Sequence, residues 1–371
     1  MKTPRDTPTT PPAPCTSHEM HGHAPAGSPD TWVFNIEAVA TLCIAGWYVL
    51  GVFISLGVLP NGRIYQWGST WVVPLLLGVF YLGAGYLYQR YQRIYSLTDW
   101  GRYMRREIIV LATPFVAFTV LTLAANSLLR VSPAFTPADL GLALTVSPVV
   151  PVGYFEVLAF IYVLTRTPRT RRGMAALLAV ALVAKALVAL GTDAGLTSEW
   201  AYLAHELPSN WVWFVAGVAV SFYDLEPWLE KPLVAGSSTV AFAALGAALF
   251  FAGVTHATAL ALLTAAGLLT CFSVSAARFG TGRQDRFFAF VTRYTMAIWL
   301  MHELLARLVL AGLAALGFSA TGAFAPLAAP VCAAACLLAC YPLPVLAMWV
   351  LSKVGKLGFI VYPGRYLPKE L

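Results

Sequence analysis

Three side chains able to take or hold a proton, His302, Glu303 and Arg307, stand within RYTMAIWLMHELLARLVL (293–310), a stretch otherwise apolar enough to sit in lipid. A charge at the bilayer centre costs about 3 kcal/mol on insertion scales, so each such group needs either compensation or a task. Glu303 and Arg307 are four residues apart in the acid-before-base order that favours pairing on one helix face, so they can neutralise each other. His302 lies about twelve residues, roughly 18 Å of helix rise, from the cytoplasmic end of its run, which puts it near mid-membrane with Trp299 on the same face. An imidazole there is either a neutral partner in an interhelical hydrogen bond or a proton acceptor, or a group that orients a ligand in a membrane cavity.

Few other ionisable residues enter apolar sequence. Glu37 falls near the start of the first run, where it is expected to reach the interface. Glu156 follows VSPVVPVGYFE, whose prolines disturb a helix start; broken helix at membrane depth is tolerated where it faces protein or a water-filled cavity, so Glu156 is a pocket candidate. Lys185, in VALVAKALVAL, is either a buried cation paired with Glu156 or Glu37, or a chain that snorkels along its helix. The loop YQRYQRIYSLTDWGRYMRRE (88–107) holds Arg102, Arg105 and Arg106, which either lie at headgroup level or bind an anionic phosphorylated ligand with their forked guanidinium groups. A second loop, DAGLTSEWAYLAHELPSN (193–210), with Asp193, Glu199, His205 and Glu206, either meets an acceptor from outside or, the preferred reading, is a solvated acidic connection.

Cysteine and histidine clusters suggest less chemistry. Cys332, Cys336 and Cys340 recur every fourth residue and share one helix face, as small close-packing side chains do. Cys43 and Cys271 read as lone buried thiols. Cys15, His18, His21 and His23 in CTSHEMHGH have a spacing able to wrap a soft divalent metal, but nothing nearby supplies a supporting shell, and no metal site is assigned.

These residues sit in a membrane protein. Of 371 residues 59% are hydrophobic and 11% charged, against about 25% charged in soluble domains. Ten apolar runs approach spanning length, near 33–58, 71–88, 107–128, 142–164, 173–191, 209–222, 234–253, 257–277, 291–316 and 326–352. The first is too long for a signal-peptide core and lacks a small-residue cleavage site, so it is expected to be retained. With the N-terminus cytoplasmic, basic residues gather in the segments around 90–106, 166–172, 278–286 and 353–369, beside Lys2, Arg5 and Lys231, while the opposite face keeps Arg63 and Arg130 only. That asymmetry puts both termini in the cytoplasm and explains the net charge of +7 as topology and contact with membrane lipid, not nucleic-acid binding. Residues 1–31, rich in Pro and Thr, are expected to be a disordered cytoplasmic tail, and 32–371 one all-α polytopic bundle of about ten transmembrane helices in the plasma membrane. A homo-oligomer is compatible with this pattern.

Several stretches together resemble one family. YTMAIWLMH (294–302) resembles the late-helix signature Y-S-x-x-I-Y-L-x-H of the integral membrane acyltransferase family 3. WVVPLLLGVFYLGAGYL (71–87), SLTDWGRYMRREIIVLATPF (96–115), NWVWFVAGVAVSF (210–222) and the closing FIVYPGRYL resemble further motifs of that family in matching order, over nearly all of 32–371. The resemblance implies ten spans, cytoplasmic termini, and transfer of an acyl group, often acetyl, from a cytoplasmic acyl-CoA to a hydroxyl of a glycan, lipid or small molecule. It implies no bound cofactor; acyl-CoA is the co-substrate, and Arg102, Arg105 and Arg106 would take its pyrophosphate. The family's first-helix Arg and catalytic His are missing: NIEAVATLCIAGWYVLG carries Ala40 at the Arg position and Gly51, or at best Tyr48, near the His position. On this resemblance His302 becomes the best surviving base, with Glu303 or Glu156 to orient it or to hold the acceptor. The same departure leaves open a reused fold with a different reaction, a transporter, or a protein that only binds.

Overall fold

The apolar runs become helices, and proline sets where they break. The computed structural model describes residues 30–92, 94, 96–129, 136–149, 152–197, 200–280, 286–318, 325–354 and 357–367. The candidate metal ligands Cys15, His18, His21 and His23 lie outside these, as do Arg93, Arg130, Glu199, Arg283, Lys356 and Lys369. In chain order the helices are α1 (Thr31–Ser55), α2 (Arg63–Gly68), α3 (Val72–Tyr91), α4 (Leu97–Leu128), α5 (Pro137–Thr145), α6 (Gly153–Leu164) and α7 (Arg171–Asp193). They continue as α8 (Tyr202–Phe222), α9 (Glu226–Leu229), α10 (Pro232–Ala252), α11 (Ala257–Phe279), α12 (Arg286–Ala315), α13 (Ala325–Cys340) and α14 (Pro342–Lys353), closed by two short 3₁₀ turns, Leu357–Ile360 and Pro363–Arg365. No strand occurs among the described residues.

Among the described residues, seven helices are long and apolar enough to cross a membrane: α1, α2 with α3, α4, α7, α10, α11 and α12. Leu327–Cys340 and Pro342–Lys353, bent by 41° at the break before Pro342, make an eighth if taken as one span. The chain is therefore an integral, multi-pass membrane protein. The run 142–164 is split in two, α5 ending at Thr145 and α6 starting at Gly153, as the prolines between them require. Serine and threonine fix other starts. Ser96 Oγ accepts from the Asp99 amide at 2.9 Å, Thr170 Oγ1 accepts from that of Gly173 at 3.1 Å, and Thr136 with Asp139 closes a capping box on α5.

The boundary of the tail falls earlier than the sequence suggests. Thr31 already belongs to α1, and Asp30, 1% exposed, is held inside the bundle. The Tyr86 hydroxyl lies 2.7 Å from Asp30 Oδ1 and 2.9 Å from Glu226 Oε1, Tyr91 bonds the other Asp30 oxygen, and Arg90 bridges both carboxylates at 3.8 and 3.7 Å. We call this side of the bundle the Asp30 end.

Helices α3 and α8 make the closest crossing. A Cβ on Gly85 would overlap the Phe214 carbonyl, and one on Gly217 would overlap that of Leu82, so only glycine lets the two backbones meet. Against this seam α7 and α6 pack on α8, α1 and α11 pack on α3, and α12 rests on α1. Cys336 and Cys340 are buried against Ala45, Val49, Ile298 and Ala306, in keeping with a close-packed small-residue face. Cys43 corrects the expectation of a buried thiol: it is exposed on the outside of α1, where in a membrane the surroundings are hydrocarbon and a small thiol needs no cover.

Candidate functional site

Two cavities lie inside the bundle. The larger, about 420 Å³, is bounded by α1, α3, α6, α7, α8, α11 and α12, in the half away from the Asp30 end. The smaller, about 60 Å³, lies towards the Asp30 end between α1, α3, α6 and α12. Tyr154 and Trp299 line both. With Phe80 they form an aromatic partition, Phe80 and Tyr154 standing 4.8 and 5.6 Å from the Trp299 ring. The Nε1–H of Trp299 is buried without an acceptor.

His302 lines the large cavity and is 3% exposed. Its Nδ1 lies 3.0 Å from the Ile298 carbonyl and 2.9 Å from that of Trp299, one turn back on α12. Carbonyl oxygens only accept, so Nδ1 carries the proton and Nε2 is left with its lone pair and no hydrogen-bond partner among the described residues. Glu303 also lines the cavity, but it is ion-paired to Arg307, whose Nη1 donates to Asn126 Oδ1 at 3.1 Å. The spacing argument for that pair therefore holds. The expectation that Glu303 or Glu156 orients His302 does not, because the helix backbone already engages Nδ1.

Glu156 stands elsewhere. It lines a separate hollow with Phe115, Leu144 and Leu203, and its Oε2 is buried without a hydrogen bond. A two-residue step on α6 decides this: Tyr154 turns to the two cavities and Glu156 away from them. Glu37, expected at the interface, lies two turns inside α1, lines the small cavity and packs against Gly83. The reason is that α1 begins at Thr31, which draws Glu37 inward.

Lys185 pairs with neither Glu156 nor Glu37. It lines the large cavity, its Nζ 5.9 Å from the centre of the Trp213 ring, and makes no ion pair among the described residues. The three arginines before the third long helix are also separated. Arg102 is exposed and pairs with Asp99 at 3.7 Å, Arg105 is exposed, and Arg106 is buried, 8% exposed, with Nε and Nη2 lacking acceptors.

The structure adds three residues that the loop reading missed. His205, Glu206 and Asn210 lie on α8 and line the large cavity. His205 Nδ1 is 2.9 Å from Glu206 Oε1, and Asn210 Nδ2 donates to Glu206 Oε2 at 2.8 Å. The four-residue step from Glu206 to Asn210 was the available signal; Pro208 inside the helix obscured it. Tyr48, at the position where the resemblance seeks an imidazole, lines the same cavity and packs edge-on against His302.

The cavity thus holds a buried imidazole with one fixed tautomer, a second imidazole on a carboxylate, and an ammonium, walled by aromatic rings. Such a set can take a proton from a hydroxyl, hold an oxyanion, or bind a polar ligand inside the membrane. No protein-family model, curated protein or solved structure matches this chain.

Proposed function

We propose that this protein is a membrane-embedded O-acyltransferase, moving an acyl group, acetyl first among candidates, from cytoplasmic acyl-CoA to a hydroxyl of a lipid-linked, glycan or small hydrophobic acceptor. In this reading α5 with α6, α8, and the bent α13–α14 pair complete ten crossings, and both termini face the cytoplasm. The observation that carries it is the His302 tautomer: Nδ1–H engaged by two backbone carbonyls, Nε2 left open to a cavity of about 420 Å³.

In the transfer step, Nε2 takes the acceptor's hydroxyl proton while that oxygen attacks the thioester carbonyl carbon. The tetrahedral adduct then collapses, the carbon–sulfur bond breaks, and the imidazolium proton leaves with the thiolate, giving an ester and a free thiol. An alcohol is a weak acid, so the base must stand within hydrogen-bond reach, and a fixed Nε2 supplies that without searching rotamers or tautomers. Arg106 supports the donor half. Two buried guanidinium N–H groups without acceptors are a costly arrangement that an anionic diphosphate would satisfy. The thioester arm would then extend from the Asp30 end past the Tyr154–Trp299 partition.

The test is thiol release from acetyl-CoA and related donors by purified protein given a pool of hydroxyl acceptors. Release by the wild type, lost in His302→Ala with folding intact, supports the assignment; no release from any donor by folded wild type overturns it. Unchanged donor affinity in Arg106→Ala would remove Arg106 from the donor site.

One observation favours a second reading, an ion-coupled transporter: the two cavities share a wall, with Glu37 on one side and His302 on the other. A pH-dependent flux in proteoliposomes without acyl donor would select it.

A further inference from the structure

One cation in the large cavity forms no ion pair with the described residues. The cavity's two carboxylates are engaged: Glu303 by Arg307, and Glu206 by His205 on one oxygen and Asn210 on the other. Lys185 lies within electrostatic reach of Glu206, but that carboxylate is already engaged by His205 and Asn210 and forms no ion pair with the ammonium. Lys185 projects from α7 into the cavity, rests near the Trp213 ring on α8, and makes neither hydrogen bond nor ion pair with the described residues. An ammonium within a spanning helix is expensive, and it stays charged more readily when an anion meets it. The ring accommodates the cation from one side and leaves its three N–H donors for a ligand.

We propose that Lys185 anchors an acidic group, a carboxylate or a phosphate, on a hydroxyl compound that occupies this cavity. The ligand's hydroxyl then faces His302 on α12 while its anionic end rests on Lys185 across the cavity. This rests on reading the His302 cavity as the acceptor site, and it narrows the acceptor to hydroxy acids and phosphorylated polyols. Neutral alcohols and unsubstituted sugars lack the group that Lys185 requires. The same chemistry comes from a soluble small molecule or from the glycerol phosphate headgroup of an anionic lipid.

Ligand-dependent thermal stability tests this without requiring turnover, because a ligand that binds only the folded state raises the melting temperature by mass action. The purified protein is melted in neutral detergent with glycerol 3-phosphate, glycerate or glycerol, at matched ionic strength. It is also melted in nanodiscs of phosphatidylglycerol or phosphatidylcholine. The two acids, or phosphatidylglycerol, should stabilise the wild type, while glycerol and phosphatidylcholine should not. In Lys185→Met and Lys185→Gln, affinity should fall about tenfold or more, as expected for one lost charge-assisted hydrogen bond. Lys185→Arg, which keeps the charge, should retain most of the shift. Stabilisation by the soluble acids identifies a small-molecule acceptor, and stabilisation by phosphatidylglycerol alone identifies a lipid headgroup.

The proposal is overturned if no acid and no anionic lipid stabilises the wild type, or if the shift persists in Lys185→Met; Lys185 then only snorkels. Lys185-dependent binding with no thiol release from any donor would instead sink the acyltransferase reading and leave the anion site standing.

Discussion

His302 on α12 and Tyr48 on α1 meet edge to face, their ring centroids 5.7 Å apart and their planes at 86°. The contact sets a first-helix phenol directly beside the imidazole that lines the large cavity. Tyr48 also lies next to Arg307, so it joins the base to the Glu303–Arg307 pair one turn further along α12. A base at His302 with Tyr48 as its packing neighbour makes an asymmetric expectation. His302→Gln should lower acyl transfer by about a hundredfold or more, the usual contribution of a positioned general base. Tyr48→Phe keeps the ring edge and removes one hydroxyl, so its rate should stay within about tenfold of the wild type. Thiol-release rates for the two variants, taken at equal folded fraction, decide it; a larger loss in Tyr48→Phe would move the chemistry to the tyrosine.

The Glu303–Arg307 pair should matter for stability more through its imbalance than through its presence. Removing Arg307 strands a carboxylate that is 8% exposed, whereas removing both charges strands nothing. Breaking a fully buried pair costs about 3–5 kcal/mol; with Arg307 34% exposed, Arg307→Ala should cost about 2 kcal/mol. The double variant Glu303→Gln/Arg307→Gln should melt above Arg307→Ala. A double variant that melts lower than either single one would show the pair to be a net stabiliser.

How far the sequence alone could lead depends on which interactions are local. The Glu303–Arg307 pair follows from spacing on one helix, and it is present. The disturbed start of the fourth run follows from its prolines and is present, whereas the 41° bend before Pro342 divides a run that reads as continuous in the sequence. What spacing does not convey is which neighbouring helix a side chain will face. Glu156 and Tyr154 are two residues apart, and a rotation of α6 sends one to the cavities and the other to a separate hollow. For Lys185 the sequence leaves pairing with Glu156 or Glu37 and snorkelling both open, and its neighbours are instead Trp213 and Glu206 on α8. His205 and Glu206 were hidden by composition: a polar, proline-bearing segment looks like a loop until packing extends the helix through it.

The Asp30 cluster should be the anchor of α1. Two tyrosine hydroxyls and Arg90 converge on one buried carboxylate at the helix start. Asp30→Ala would leave these donors facing an apolar gap, at a cost of about 1–3 kcal/mol. Asp30→Asn, which keeps shape and acceptor capacity, should lose less. Thermal melts in detergent measure both, and equal melting temperatures for wild type and Asp30→Ala would show that the cluster carries no net stability.

At the α3–α8 seam the backbone itself is in contact, so even one methyl group is too much. Gly217→Ala or Gly85→Ala should separate the helices and cost about 1–3 kcal/mol or more, the range for overpacking in a well-filled interior. Because α8 also carries His205, Glu206 and Asn210, the same displacement should weaken ligand-induced stabilisation. Gly236→Ala, on α10 where no atom stands within 4 Å of the added methyl, is the control and should be neutral.

Trp299 separates the two cavities and keeps a buried N–H without an acceptor, so its substitutions should diverge. Trp299→Phe retains most of the ring wall and deletes the orphan donor, a change that is neutral or stabilising when no partner is lost. Trp299→Ala removes the wall and joins the small cavity to the large one, at a stability cost of about 3–5 kcal/mol for truncating a buried aromatic. If the acyl arm passes this partition during transfer, Trp299→Ala should also let water reach the thioester, raising donor hydrolysis relative to transfer. The ratio of free acid to ester product, measured in both variants, reports this. An unchanged ratio in Trp299→Ala would place the reacting thioester away from the partition. A loss of transfer in Trp299→Phe at unchanged melting temperature would instead assign the indole N–H to the substrate, as the acceptor it lacks in the free protein.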